Sequence, residues 1–379
     1  MLNKKYALIT FLLALTLLCL AFITSTNGIA YAEEESTPIA HINELDLSKY
    51  ISETLNDKSA GSIGEEKTAK EYLSPFMEAC GLDKFSGENY WTQFTLGINS
   101  FSYNVVGIKK SATETNKTIV LGAHYDNNYS KTNAMGALNN ATGVVCLMGI
   151  MKALKDKTFD YNIIYCFYGA SNNSYSGSEN FYGSLDAKIK KNLLLAINFD
   201  SIGCGEYTYF YAGDSANSFT KVFNLSNYNI DSTPRYSKTD YVLSNKRMAY
   251  HSAGLNSDNV TYFRNGVRNI NFFSGNLNGM VAGFKESSSH ENIADTKRDN
   301  LDTFISYYPN YNKQLNNVAS SVVCALTSEN FIAELEASNT QIDFSFLNKK
   351  VIIFFSGIIG ILLLCGIKNK TNKKIKKDK

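Results

Sequence analysis

The sequence predicts an α/β fold in which a mostly parallel, mixed central sheet is sandwiched by helices, with one transmembrane helix at the C-terminal end. Three observations predict it. Short apolar runs at 118–123, 162–168, 193–199 and 269–273 alternate with segments of helical period. Strands that read as continuous apolar runs bury both faces, which requires helices on each side of the sheet. Separately, Val351 to Ile367 is an uncharged apolar run of 17 residues, at the short end of what spans a bilayer.

Taken in order, Lys4-Lys5 precedes an apolar stretch from Tyr6 to Phe22, and Ala30-Tyr31-Ala32 stands before Glu33-Glu34-Glu35. A basic start, an apolar centre and an A-x-A site make residues 1–32 a secretory signal cut after Ala32; the alternative is an uncleaved anchor. Between Gly64 and Cys80, Ala69, Tyr72, Leu73, Phe76 and Met77 recur at helical spacing, and Gly81 supplies the C-cap. Phe101 to Ile108 and Thr118 to Ala123 read as strands, Gly143 to Leu154 as a helix, then Asn162 to Tyr168, Leu193 to Phe199 and Asn269 to Phe273 as strands. Tyr311 to Leu326 is the closing helix. With four Pro, no internal repeat and no low-complexity linker, residues 33–350 form one domain. The 351–367 span follows, and the Lys-rich tail 368–379 stays cytoplasmic by the positive-inside rule, leaving 33–350 outside.

Of the 379 residues, 44% are hydrophobic and 13% aromatic, which excludes disordered, collagen-like and disulfide-stapled chains. The net charge of +2 conceals a split. Residues 1–32 and 351–379 hold nine Lys and one acid, leaving 28 basic and 34 acidic residues between them, a charge of −6. An acidic body with basic ends argues against nucleic acid and for a membrane-oriented chain, with the bilayer as one partner through the C-terminal helix. Cys80, Cys146, Cys166, Cys204 and Cys324 show no paired spacing and read as buried free thiols.

In open α/β sheets the chemistry gathers beyond the carboxyl ends of the strands. His124 and Asp126 follow one strand, Ser171-Asn172 the next and Asp200 a third; Gly136 to Gly143 opens a helix toward the same rim, and His290 lies in a later loop. Imidazole and carboxylate together suit zinc, although polar loops at strand ends are common without any ligand.

In motif order the chain resembles the M28 family of zinc aminopeptidases from about Gly61 to Asp302. Ala123-His124-Tyr125-Asp126 is similar to the family's H-x-D, in which the His binds metal and the Asp orients it. The 136–143 segment resembles G-A-x-D-N-A-S-G, whose Asp bridges two metals. Gly169-Ala170-Ser171-Asn172, with Gly177-Ser178 after it, resembles G-A-E-E-x-G-L-x-G-S, whose first Glu is the general base and second a ligand. Asn198 to Gly203 is similar to N-L-D-M-I-G, whose Asp is a ligand, and Ser257-Asp258 to a later S-D. His290 with Asp295-Thr296 resembles the final ligand motif H-T-x-x-D-T with one residue extra. The resemblance implies a phosphorylase/hydrolase-like aminopeptidase fold. One metal would lie between His124, Asp200 and position 139, and a second between His290, position 172 and position 139.

The departures fall on the chemistry. Asn139 stands for the bridging Asp, Asn172 for the ligand Glu and Ser171 for the base. The second site keeps only His290, whereas zinc takes three protein ligands and water; the first keeps His124 and Asp200 with an amide as third. At most one weakly bound zinc ion is expected. A Ser hydroxyl does not serve as general base near neutral pH, and no G-x-S-x-G elbow is present to make Ser171 a nucleophile with His124. Two readings remain open: a membrane-anchored M28-like protein that binds a peptide or protein without cleaving it, and an active aminopeptidase using one metal or recruited ligands. Tyr90-Trp91, Tyr207 to Tyr211 and Tyr307-Tyr308 read as packing or as a Tyr-lined cleft.

Overall fold

The computed structural model describes residues 39–212, 222–231, 255–275 and 293–340. The signal segment, His290 and the 351–367 run therefore lie outside the described residues. In chain order come α1 (Glu44–Glu53), α2 (Ile63–Lys67), a wide helical turn (Thr68–Leu73) and α3 (Ser74–Ala79). Strands β1 (Asp83–Lys84), β2 (Trp91–Gly97), β3 (Ser100–Lys109) and β4 (Thr118–His124) follow, then α4 (Tyr129–Thr132) and α5 (Thr142–Leu154). Next are β5 (Asn162–Tyr168), α6 (Ser176–Ser184), α7 (Ala187–Lys191), β6 (Leu193–Phe199), β7 (Tyr207–Tyr211) and β8 (Ile230–Asp231). The chain continues through α8 (Asn259–Arg264), β9 (Asn269–Gly275), α9 (Leu301–Tyr307), α10 (Tyr311–Thr327) and α11 (Phe331–Thr340).

The predicted 64–80 helix is present, with a local irregularity that Pro75 explains. Proline has no N–H to return to the preceding turn and its ring crowds that turn. The backbone widens there, and the Ser74 amide reaches back five residues to the Ala69 carbonyl. Ser62 starts the stretch by accepting the Glu65 amide at 3.0 Å, and Gly81, with φ +69°, ends it.

The sheet runs β1-β3-β5-β4-β6-β9-β7-β8, with β2 hydrogen-bonded to β3. Its centre, β5-β4-β6-β9, is parallel. On either side of that centre the pairing turns antiparallel: β1, β2 and β5 all pair antiparallel with β3, and β7 pairs antiparallel with β9, although β8 at the edge pairs parallel with β7. The sheet is thus mixed, with antiparallel flanks on a parallel core. Every residue of β4 is buried. Ile119, Leu121, Ile163, Phe167 and Ile197 face α5 and α10 in one core, while Val120, Ile164, Cys166 and Ala196 face Phe181 of α6 and Tyr262 of α8 in another. This alternation, one side chain to each layer, is what period-2 strands between two helical layers require.

Among the described residues, Ala137–Leu154 is apolar and long enough to cross a membrane, but 83% of it is buried inside the fold, as a core helix would be. The five cysteines among the described residues are unbridged, and Cys80, Cys146, Cys166 and Cys204 are buried. Tyr209, Tyr211 and Tyr308 are buried as well, so these aromatics serve packing.

Candidate active site

Parallel strands β4, β5 and β6 end together, so the polar residues after each are brought to one rim. His124 is the last residue of β4 and is buried; its Nδ1 lies 3.3 Å from Asp126 Oδ1. Asp126 is fully buried and accepts the backbone amides of Ser171 (2.9 Å) and Asn172 (3.1 Å), which fixes the β5 loop to the β4 loop. The other ring nitrogen, Nε2, donates to Asn139 Oδ1 at 3.0 Å and lies 3.8 Å from Asp200 Oδ1. Asp200 in turn accepts the Ser201 hydroxyl at 2.8 Å. The structure thus brings together His124, Asp126, Asn139, Ser171, Asn172 and Asp200.

Burial opposes charge on His124, but the hydrogen bonds and charges of Asp126 and Asp200 outweigh it and hold the imidazolium well above the usual range. Both ring nitrogens then carry protons, one for Asp126 and one for Asn139. Although burial works against its charge too, Asp200 is held below its usual value by the hydrogen bond and charge of His124.

The substituted positions have found partners other than metal. Ser171 Oγ donates to Asp258 Oδ2 at 2.8 Å, so the Ser-His pairing considered from sequence is not formed. Asn172 turns its amide onto Asp126 Oδ2 at 3.3 Å. Asn139 donates through Nδ2 to Asp295 Oδ1 at 3.1 Å. Zinc would need His124 and Asp200 with Asn139 Oδ1 as a neutral third donor, and no group of three His, Cys, Asp or Glu among the described residues could hold a metal. On the donor chemistry of the described residues, which do not include His290, the site does not fit a zinc pair.

Other residues complete the site: Asn140 and Asp258 lie in motifs that the sequence offered without a role, and Asp299 and Glu65 carried no functional signal. Asn140 donates to the carbonyls of His124 (3.2 Å) and Phe199 (2.9 Å) and accepts the Gly143 and Ser201 amides, tying the ends of β4 and β6 to the start of α5. Asp299 accepts the amides of Leu138 (2.7 Å) and Asn139 (3.2 Å), and burial pushes its carboxyl up to about 7. Asp258 has no exposure, and burial lifts it to about 6. Beneath the β5 loop, Glu65 accepts the Gly61 amide at 2.6 Å and the Ser102 hydroxyl, and burial raises it to about 8. Asp295 stands in the segment that the sequence set beside the final ligand motif. Of the other acids near these strand ends, Glu179 faces Arg264 at 3.4 Å and Glu206 is exposed; Asp214 lies outside the described residues.

Comparison with known proteins gives a concordant result. Residues 104–322 match the family described as Peptidase family M28. Aminopeptidase YwaD of Bacillus subtilis is 25% identical over 259 residues, covering 62% of this chain and 53% of that protein. The probable lipoprotein aminopeptidase LpqL of Mycobacterium tuberculosis is 25% identical over 172 residues, or 44% of this chain and 33% of that one. The chain therefore spans about half or less of the length of these curated relatives. Among solved structures, a glutaminyl cyclase from an Acidobacteriales bacterium has a TM-score of 0.54 at 15% identity, covering 83% of this chain and all of that one. LapA of Legionella has a TM-score of 0.53 at 15% identity, covering 79% and 78%. At such identity the structural likeness establishes the fold alone.

Proposed function

From the premise that the chain belongs to peptidase family M28, whose match covers more than half of it, we propose a membrane-anchored protein that binds a peptide or protein partner without hydrolysing it. The single observation that carries this reading is the fate of the base position. Peptide hydrolysis in a metallopeptidase needs polarised water and a group to take its proton. At 171 a hydroxyl points its proton at buried Asp258 and has no basic form near neutral pH. Asn139 and Asn172 add two neutral amides where dications would need carboxylates. Export by residues 1–32, a span at 351–367 and a cytoplasmic 368–379 tail belong to the same proposal, supported by their charge and hydropathy patterns.

One observation favours a second reading, an exopeptidase with recruited ligands: two carboxylates outside the ligand positions, Asp258 and Asp295, lie against Ser171 and Asn139. Purified, dialysed protein measured for zinc by plasma mass spectrometry and assayed on aminoacyl-nitroanilides separates the two. We expect less than one tightly held zinc per chain and no hydrolysis. Two tight equivalents with turnover would overturn the binding reading, and loss of that turnover in Asp258→Asn or Asp295→Asn would establish recruitment.

A further inference from the structure

We infer that Asn139 is a structural replacement for the bridging metals, an amide strut that joins the His124 strand end to the 293–299 loop, so that this fold is complete without metal. The inference rests on the reading of the site as one that does not fit a zinc pair, and it goes further by assigning a role to the substitution. In the family motif this position is an Asp whose charge is met by two cations. Without cations a carboxylate at 139 would face Asp295 with no proton between them, because an ionised carboxylate only accepts hydrogen bonds. An amide accepts at one end and donates at the other. Asn139 uses both: Oδ1 accepts His124 Nε2–H at 3.0 Å, and Nδ2–H donates to Asp295 Oδ1 at 3.1 Å.

The result is a chain Asp126–His124–Asn139–Asp295 linking three separate pieces of the fold: the end of β4, the 137–141 turn and the 293–299 loop. Asp299 closes the same junction through backbone, accepting the Leu138 and Asn139 amides while its own carbonyl accepts the Gly136 amide at 3.0 Å. Positions 139 and 295 are 156 residues apart, so the strut fixes a non-local contact that a metal would otherwise fix. Asn139 is therefore a positioning residue in this chain, and its amide is what the loop is built on.

Thermal unfolding of the full chain in detergent tests this, with zinc content read alongside. Wild type should shift in Tm by less than about 1 °C with equimolar zinc or with chelator, as expected when a ligand finds no site. Asn139→Ala should lower Tm by roughly 5 °C, the size of two lost hydrogen bonds in a domain this large. Asp295→Ala removes one of those two bonds and should lower Tm by about half as much, and the double variant should fall little below Asn139→Ala, because both variants remove the Asn139–Asp295 contact. Asn139→Asp adds a carboxylate beside His124 and Asp200 and so completes a set of three ligands. That variant should unfold earlier than wild type without metal and regain at least about 5 °C with zinc, as one ion binds. Additive losses in the Ala cycle, or an Asn139→Asp chain indifferent to zinc, would overturn the strut while leaving the absence of hydrolysis untouched. A wild type that gains several degrees with two bound zinc ions would instead sink the binding reading itself.

Discussion

Glu65 shows what a single buried residue contributes and costs here. It has no exposed surface, and desolvation raises its carboxyl from 4.5 to about 8 despite the Ser102 and Gly61 hydrogen bonds, with the Asp126 charge adding to the rise. A group neutral in the fold and ionised in the unfolded chain costs stability as pH rises. The cost begins near the unfolded pKa of about 4.5, grows until pH approaches 8, and is constant above it. Stability should therefore fall between pH 5 and 8, with Asp258 and Asp299 contributing over narrower windows that end near 6 and 7. Glu65→Gln should remove the largest part of that slope, of order a few kcal/mol, measured by urea unfolding at pH 5 and pH 8. An unchanged slope would mean that Glu65 is ionised in the fold. At this scale His124, Asp126 and Asp200 were legible, because each is a polar residue directly after an apolar strand. Glu65 and Asp299 were not, and Asp258 only as part of a motif without a role: a sequence pattern gives an acid's position along the chain but not how far it is removed from water.

The elements differ in how plainly they announced themselves, and for a physical reason. Strands β4, β5 and β6 are buried on both faces, so their side chains are apolar without interruption and their bounds are nearly those predicted. Strand β2 is half exposed and mixes Thr and Gln with Trp and Phe, so the hairpin that makes the flank antiparallel had no such signature. Helix α6 is short, yet it is held closely. A Cβ on Gly177 would come within 2.0 Å of the Gly169 carbonyl oxygen, and Asn104 bonds both the Gly177 carbonyl (2.9 Å) and the Gly169 amide (3.2 Å). The first turn of α6 thus presses directly on the loop bearing Ser171 and Asn172. Gly177→Ala forces backbone apart and should cost about 2–3 kcal/mol, read as a lower urea midpoint at constant slope. A neutral result would show that α6 is free to move from that loop.

For the whole molecule, the fold sets the site and the last described helix on opposite ends of the parallel strands. Near the C-terminal end of the described chain, Glu336 of α11 pairs with Lys117 at 2.8 Å, and the Leu335 carbonyl accepts from Arg268 at 2.5 Å. Lys117 and Arg268 stand immediately before β4 and β9, at the amino ends of the parallel strands. His124, Ser171 and Asp200 stand at or beyond the carboxyl ends, a full strand length away, or about 20 Å for seven residues. Helix α11 therefore packs at the face opposite the rim, and that the rim is reached from outside is a separate claim of the proposed topology. Asn173 is exposed on that rim and Lys377 lies in the basic tail, so one cysteine at each position reports on both claims. On intact cells a membrane-impermeant maleimide should label Asn173→Cys promptly and Lys377→Cys only after permeabilisation, since the Lys cluster is held inside. Labelling of the tail on intact cells would reverse the orientation. A rim cysteine that labels only in detergent would mean that the site is closed off by the membrane or by an attached partner.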